Sequence, residues 1–321
     1  MAFSARPPDP LGPLNPGNVV SAGLRLYRDR FKMYLKLAVV AYLWLLGGVL
    51  AWAVAIGALG GLLSLTGNDA LQFLGFTLGF LIGVVPFLYG SARFFMLSAV
   101  MSRLAFQELI NQPETAAAAQ AEMRPKLWSF LLLSVLVLLV FIVAWTILST
   151  VASLAALLVG FVSGGILTAI FGADIGTAIG ITLGVIVFLA LFLIGLVWMV
   201  SRLLLPEVAL AVEPETTASD SIGRSWRLTQ ASVVRIQFVV VATFLITLPI
   251  VLITNYVPQL LIVGLESGSN AYWAIYGLSL ILGFLGSMVV MPLGQTVKGV
   301  LYYDLRSRRE GLDLQLRPAD G

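Results

Sequence analysis

The side chains best placed to do chemistry are cations, two acids and an indole that sit beside long apolar runs. They are Arg93, Arg202, Glu207, Arg224, Trp226, Arg227, Lys298, Asp304 and Arg306. Their chemistry is the recognition of charge, not bond breaking. Guanidinium and ammonium groups next to apolar segments suit lipid phosphates or an acidic partner. The chain has no histidine and no cysteine. It therefore lacks the usual general base near neutral pH, a thiolate nucleophile and the commonest metal ligands. No phosphate-binding loop or metal-ligand cluster appears, and no hydroxyl stands beside a recognisable base. The expectation is a non-catalytic protein with no cofactor and no metal.

Arg93, Arg202 and Lys298 each close an apolar stretch. One reading is an intramembrane ion path, because charge in a bilayer is costly and often functional. Length favours another. About 21–25 residues run from the start of each stretch to its cation, enough to cross roughly 30 Å of hydrocarbon. The cations are therefore expected at the inner interface as structural markers that snorkel to water. Lipid phosphate binding is the alternative, and a transport path comes third. At Pro206-Glu207 the proline frees a backbone carbonyl, which predicts a static kink. Glu207 is placed to pair with Arg202 or with a neighbouring lead-in.

The chain that positions these residues has 321 residues, 59% of them hydrophobic and 11% charged. A soluble domain is about one quarter charged, so lipid is the natural second solvent. Six apolar runs, at about 35–60, 73–95, 127–152, 177–202, 234–258 and 273–298, approach or exceed the length needed for a membrane helix. They are continuous rather than alternating, which favours helices over barrel strands. Trp44, Trp52, Trp145 and Trp198 are expected to serve as packing or interface anchors. Glycines such as Gly57, Gly60, Gly61, Gly79 and Gly83 are expected to be close-packing contacts. Residues 1–17, rich in proline, are expected to form a disordered tail without the features of a signal peptide. Residues 313–321 form a second tail.

All nineteen Lys and Arg lie in the N-terminal lead-in, the second-to-third and fourth-to-fifth connections, and the C-terminal segment. The three remaining turns carry none, and each holds one acid: Asp69, Asp174 or Glu266. Basic residues stay cytoplasmic, which predicts both termini inside and an even number of spans. Residues 127–202 are long for two helices. Three spans there would break the charge rule, leaving long tilted helices or a glycine-rich re-entrant turn near residues 160–176.

A weak repeat divides the single membrane domain, residues 18–312, into units at about 18–106, 115–213 and 218–310. Each has a basic amphipathic lead-in, a span, a short acidic turn and a second span ending in a cation. Pro113-Glu114-Thr115 and Pro214-Glu215-Thr216 share a tripeptide. In the first lead-in, Val20, Leu24, Tyr27, Phe31 and Tyr34 fall on one helical face, with Arg25, Asp29, Lys32 and Lys36 on another. That pattern predicts an interfacial helix with its apolar side toward acyl chains. In the third lead-in, Ile222 and Trp226 share a face, and Thr217 with Asp220 suggests a capping box. Phe94 to Leu97 and Leu203 to Leu205, past the cations, need cover that the lead-ins can supply. The expected fold is all-α: a polytopic integral membrane protein with six transmembrane helices as three two-helix repeats, and amphipathic interfacial helices in a compact cytoplasmic layer.

Four segments carry a family resemblance: Leu205-Pro206-Glu207-Val208-Ala209, Arg224-Ser225-Trp226-Arg227-Leu228-Thr229, Tyr302-Tyr303-Asp304-Leu305-Arg306 and Glu310-Gly311-Leu312-Asp313-Leu314. They resemble the glycerophosphoryl diester phosphodiesterase membrane domain family and related bacterial six-helix proteins, chiefly over residues 195–315. In that family the membrane domain stands alone or precedes a soluble phosphodiesterase domain that uses histidines and metal-binding carboxylates. This chain has no histidine and ends ten residues after Gly311. The resemblance thus implies the architecture of a bacterial inner-membrane protein, not the hydrolase activity. The expected role is a scaffold or regulatory partner acting through a basic cytoplasmic layer. Phospholipid binding or translocation at the inner leaflet is the alternative, and small-solute transport is a weaker one. Expected partners are anionic lipid headgroups and a protein on the cytoplasmic face. Nucleic acid is not expected, because the basic residues lie beside membrane segments rather than on a separate domain.

Overall fold

The computed structural model describes residues 14–315. Most of both expected tails, residues 1–13 and 316–321, lies outside the described residues. Among the described residues every regular element is a helix. Six segments are long and apolar enough to cross a membrane: Phe31–Ser64, Asp69–Leu109, Ala116–Phe171, Ala173–Val212, Val233–Ile262 and Asn270–Glu310. This is the pattern of a multi-pass membrane protein, in which helices satisfy their own backbone groups where water is absent.

In chain order the elements are α1 (Pro16–Asp29), α2 (Phe31–Ser64), α3 (Asp69–Leu109), α4 (Ala116–Met123), α5 (Leu127–Phe171) and α6 (Ala173–Arg202). They continue with α7 (Pro206–Val212), α8 (Ala218–Thr229), α9 (Val233–Val251), α10 (Val257–Ile262), α11 (Asn270–Glu310) and α12 (Leu312–Gln315). A π-helical turn, Leu252–Tyr256, joins α9 to α10. Pro16 stands in the first turn of α1, where its missing N–H costs nothing. Pro125 falls in a 3-10 turn, Arg124–Lys126, between α4 and α5. Thr217 caps α8 by accepting the Asp220 N–H at 3.3 Å. The Asp220 carboxylate takes the Thr217 hydroxyl at 2.5 Å rather than its backbone N–H, so the box is only half formed.

The stretch expected to end near residue 152 runs unbroken to Phe171 as a 45-residue helix. No re-entrant turn interrupts residues 127–171. Gly172, with φ +88°, reverses the chain directly into α6. The glycines of this region serve the approach of the two helices instead. A methyl group on Gly180 would lie 2.5 Å from the Gly164 Cα and 2.6 Å from the Gly160 carbonyl oxygen. Gly79 likewise faces the Ala55 carbonyl, whereas Gly57 and Gly61 face open space and pack against nothing.

α2 pairs with α3, α5 with α6, and α9–α10 with α11. Their short turns lie at one end. The lead-ins, connections and most charges lie at the other. There the buried core is concentrated: Met96, Leu97, Val100 and Met101 of α3, Leu205 and α7, and Val300 to Tyr303 of α11. Along the spans large side chains stay open, as at Leu154, Phe161 and Ile181. The contrast has a solvent origin. Lipid solvates apolar spans, while the same residues carried beyond them need protein cover.

The lead-ins provide that cover by turning inward. In and after α1, Val20, Tyr27 and Tyr34 are buried in protein, whereas Leu24 and Phe31 remain exposed. The apolar face expected to meet acyl chains is thus largely spent on α11. The Tyr27 hydroxyl donates to the Val289 carbonyl of α11 at 2.9 Å. α6 does not run on into α7. It stops at Arg202, and Pro206 opens a new helix after a three-residue bend, a sharper break than the expected kink.

Candidate functional site

The charged end is built from ion pairs that join elements far apart in sequence. Asp304, fully buried in α11, accepts the Leu14 N–H at 2.7 Å, the Arg235 Nε at 3.0 Å and the Arg308 Nε at 3.2 Å. Arg224 of α8 donates to Glu213 and to Glu310, each at 2.8 Å. The Tyr302 hydroxyl donates to the same Glu213 at 2.6 Å, and Arg306 donates to Glu310 at 3.0 Å. Burial works against the charge of the Arg224 guanidinium, but the hydrogen bonds to Glu310 and Glu213 outweigh it and hold its pKa above the ordinary arginine value.

Lys298 pairs with Glu207 at 2.5 Å, which ties α11 to α7. Glu207 was expected on Arg202 or a lead-in. The break after Arg202 turns the first residues of α7 away from α6 and toward α11. Of the nine candidate residues, then, Glu207, Lys298, Arg224, Asp304 and Arg306 are engaged in internal ion pairs.

Arg93 and Arg202 are built differently. Neither makes an ion pair among the described residues. The Arg93 guanidinium lies over the Trp44 ring at 4.9 Å and near Tyr89 at 5.7 Å. The Arg202 guanidinium lies 5.2 Å from the Trp226 ring and 5.5 Å from the Trp198 ring, and these rings meet edge to face. Its Nη1 donates to the Trp226 carbonyl at 3.2 Å and to the Thr229 hydroxyl at 3.4 Å. In both arginines Nε is buried without a partner. Cation–π contact is worth roughly 0.5–2 kcal/mol, but it leaves the charge uncompensated. The three cations that end the even spans are therefore not equivalent: Lys298 has a carboxylate and the two arginines have aromatic rings. Trp44 and Trp198, expected as anchors, are also ring partners for these cations. Arg227 is exposed beside Trp226 on α8.

Sequence reasoning passed over Arg103. It is 6% exposed in α3 and holds Glu114 at 2.6 and 3.2 Å, Glu122 at 2.5 Å and the Ala211 carbonyl at 2.8 Å. The available signal was its place inside an apolar run, where a charge requires partners. Gln295 was also missed. It accepts the Ser102 hydroxyl and donates to Ser98, both at 2.6 Å, between α11 and α3.

Comparison of the chain with protein-family models, with curated proteins and with solved structures finds no match.

Proposed function

We propose that the chain is a non-catalytic protein of the bacterial inner membrane, with both termini cytoplasmic, that works as a scaffold or regulatory partner through its basic layer. The observation that carries this reading is the location of the buried core, which lies in the charged layer and not along the spans. Such a layer holds its own shape, because most of its charges are already paired. It leaves Arg124, Trp226, Arg227 and Arg309 exposed as contacts for a partner. The orientation rests on the confinement of every Lys and Arg to one side of the spans.

A three-unit organisation is supported by which helices touch. α5, α9 and α2 pack on α3, α6 and α11, and α4, α8 and α1 pack on α3, α7 and α11. Each unit thus leans on the one before it, and the first leans on the last, as a pseudo-threefold ring requires. The likeness of residues 195–315 to the phosphodiesterase-associated membrane domains agrees with this architecture and carries no hydrolase chemistry to a chain without histidine.

The test is charge reversal at Arg227 and Arg309, which breaks no ion pair seen in the layer. A partner that co-purifies stoichiometrically in native nanodiscs is expected to be lost. If the variant inserts and every interaction and phenotype persists, the scaffold reading fails.

A second reading, phospholipid binding at the inner leaflet, is favoured by Arg93 and Arg202, whose guanidinium groups rest on aromatic rings without a carboxylate. Liposomes showing no preference for anionic lipid would sink it.

A further inference from the structure

We propose that the cavity between the end of α6 and the start of α9 is a phosphate site, filled by the headgroup phosphate of an anionic phospholipid whose chains lie along α9. This rests on the lipid reading above and gives it one place and one chemistry.

The cavity is about 640 Å³ and is lined by Arg202, Arg235, Ala231, Val234, Phe238 and Pro16. Arg202 lines it while only 8% exposed, yet no carboxylate pairs with its guanidinium among the described residues. A largely buried guanidinium without a counter-charge is costly unless an anion comes to it. Charge points the same way. Arg235 and Arg308 share the single carboxylate of Asp304, and Arg202 has none. The two arginines that line the cavity thus have one carboxylate between them, itself shared with Arg308, and Arg309 adds a further positive charge near Arg202. The site calls for an anion.

The backbone supplies a second set of donors. α9 is 19 residues long, and its N-cap, Ser232, makes no side-chain capping bond. The first N–H groups of a helix have no intrahelical acceptor, and their dipole favours negative charge. Val233 and Val234, which open this helix, line the same cavity. Ala231 sets the turn that leads into them, with φ +59°, a left-handed conformation that non-glycine residues rarely adopt. Helix N-terminus and arginine together form a phosphate cradle.

The surroundings favour a lipid over a free ion. Val234 and Phe238 stand 70% and 61% exposed on the first turns of a span. A headgroup in the cradle would lay its chains directly on that apolar face.

The experiment uses the full-length protein. Nanodiscs of phosphatidylcholine with a minority of phosphatidylglycerol are opened in a mass spectrometer and the retained lipid is counted. Wild type is expected to keep one phosphatidylglycerol per chain. Arg202→Gln should reduce this about tenfold, the loss of one charge-assisted contact. Val234→Glu, which touches no internal pair, should do the same by repulsion. Lys32→Gln, exposed on α2 outside the cavity, should leave retention unchanged. In a second arm, inorganic phosphate is added to delipidated protein. Stabilisation of wild type but not of Arg202→Gln, without lipid retention, would keep the phosphate site and replace the lipid by a soluble phosphate. If phosphatidylglycerol is preferred but both cavity variants retain it, the site is refuted and the lipid reading survives. No preference and no effect of phosphate would remove both.

Discussion

Asp304 of α11 accepts the backbone N–H of Leu14 at 2.7 Å, joining the first and last parts of the described chain. The Leu14 carbonyl is held in turn by Arg235 and Arg308, the two arginines that flank the same carboxylate. One acid therefore organises the entry of α1, the start of α9 and the end of α11. Its burial is complete, so its oxygens are satisfied by these donors and not by water.

Removing that acid should loosen all three elements together. Asp304→Ala leaves two guanidinium groups without their carboxylate, and breaking a buried pair costs about 3–5 kcal/mol. Thermal unfolding in detergent should fall accordingly. Hydrogen exchange at the Leu14 amide should rise from protected to fast. Protection that persists would show that α1 is held by its apolar face alone.

Lys298 and Glu207 meet across α11 and α7 with side chains 26% and 22% exposed. Partial burial makes this pair worth more than a surface bridge, and a coupling of about 1 kcal/mol is expected. Lys298→Glu and Glu207→Lys should each destabilise the protein, and the double reversal should recover much of the loss. Additive losses in the double variant would mean that the pair is not formed.

The spans were legible because lipid demands two things a sequence displays openly, length and apolarity. The end of α5 was not. No charged residue interrupts residues 127–173, so only Gly172, one glycine among many, marks where the chain turns. Ion pairs divide along the same line. Arg308 with Asp304 and Arg306 with Glu310 lie one helical turn apart and are visible as spacing. Glu207 with Lys298 is set by how separate helices pack, which no local pattern encodes. The ring partners lie between these cases. Tyr89 and Trp198 stand one turn before Arg93 and Arg202, but Trp44 and Trp226 arrive from other helices.

The α5–α6 hairpin offers a test of packing without charge. Gly180 approaches Gly164 so closely that a Cβ would sit 2.5 Å from its Cα. Gly180→Val should overpack the pair by about 1–3 kcal/mol. Gly165, with nothing near its missing Cβ, should gain roughly 0.5–1 kcal/mol on substitution by alanine. Equal melting temperatures for the two variants would show that the helices separate in the bilayer.

Arg103 allows the finest discrimination, because its partners differ in exposure. It grips Glu114 with two nitrogens, Glu122 with one and the Ala211 carbonyl with a third. An ammonium has no planar fork to span these acceptors. Arg103→Lys should therefore cost about 2–3 kcal/mol despite keeping the charge. Glu114 is 17% exposed and Glu122 is 51% exposed. Water can replace the second contact but not the first, so Glu114→Gln should destabilise more than Glu122→Gln. Thermal unfolding of the three variants should rank Arg103→Lys and Glu114→Gln well below Glu122→Gln. If Glu122→Gln proves the more damaging of the two acid variants, the guanidinium is anchored from the solvent side and α4, not the 110–115 connection, holds α3 in place.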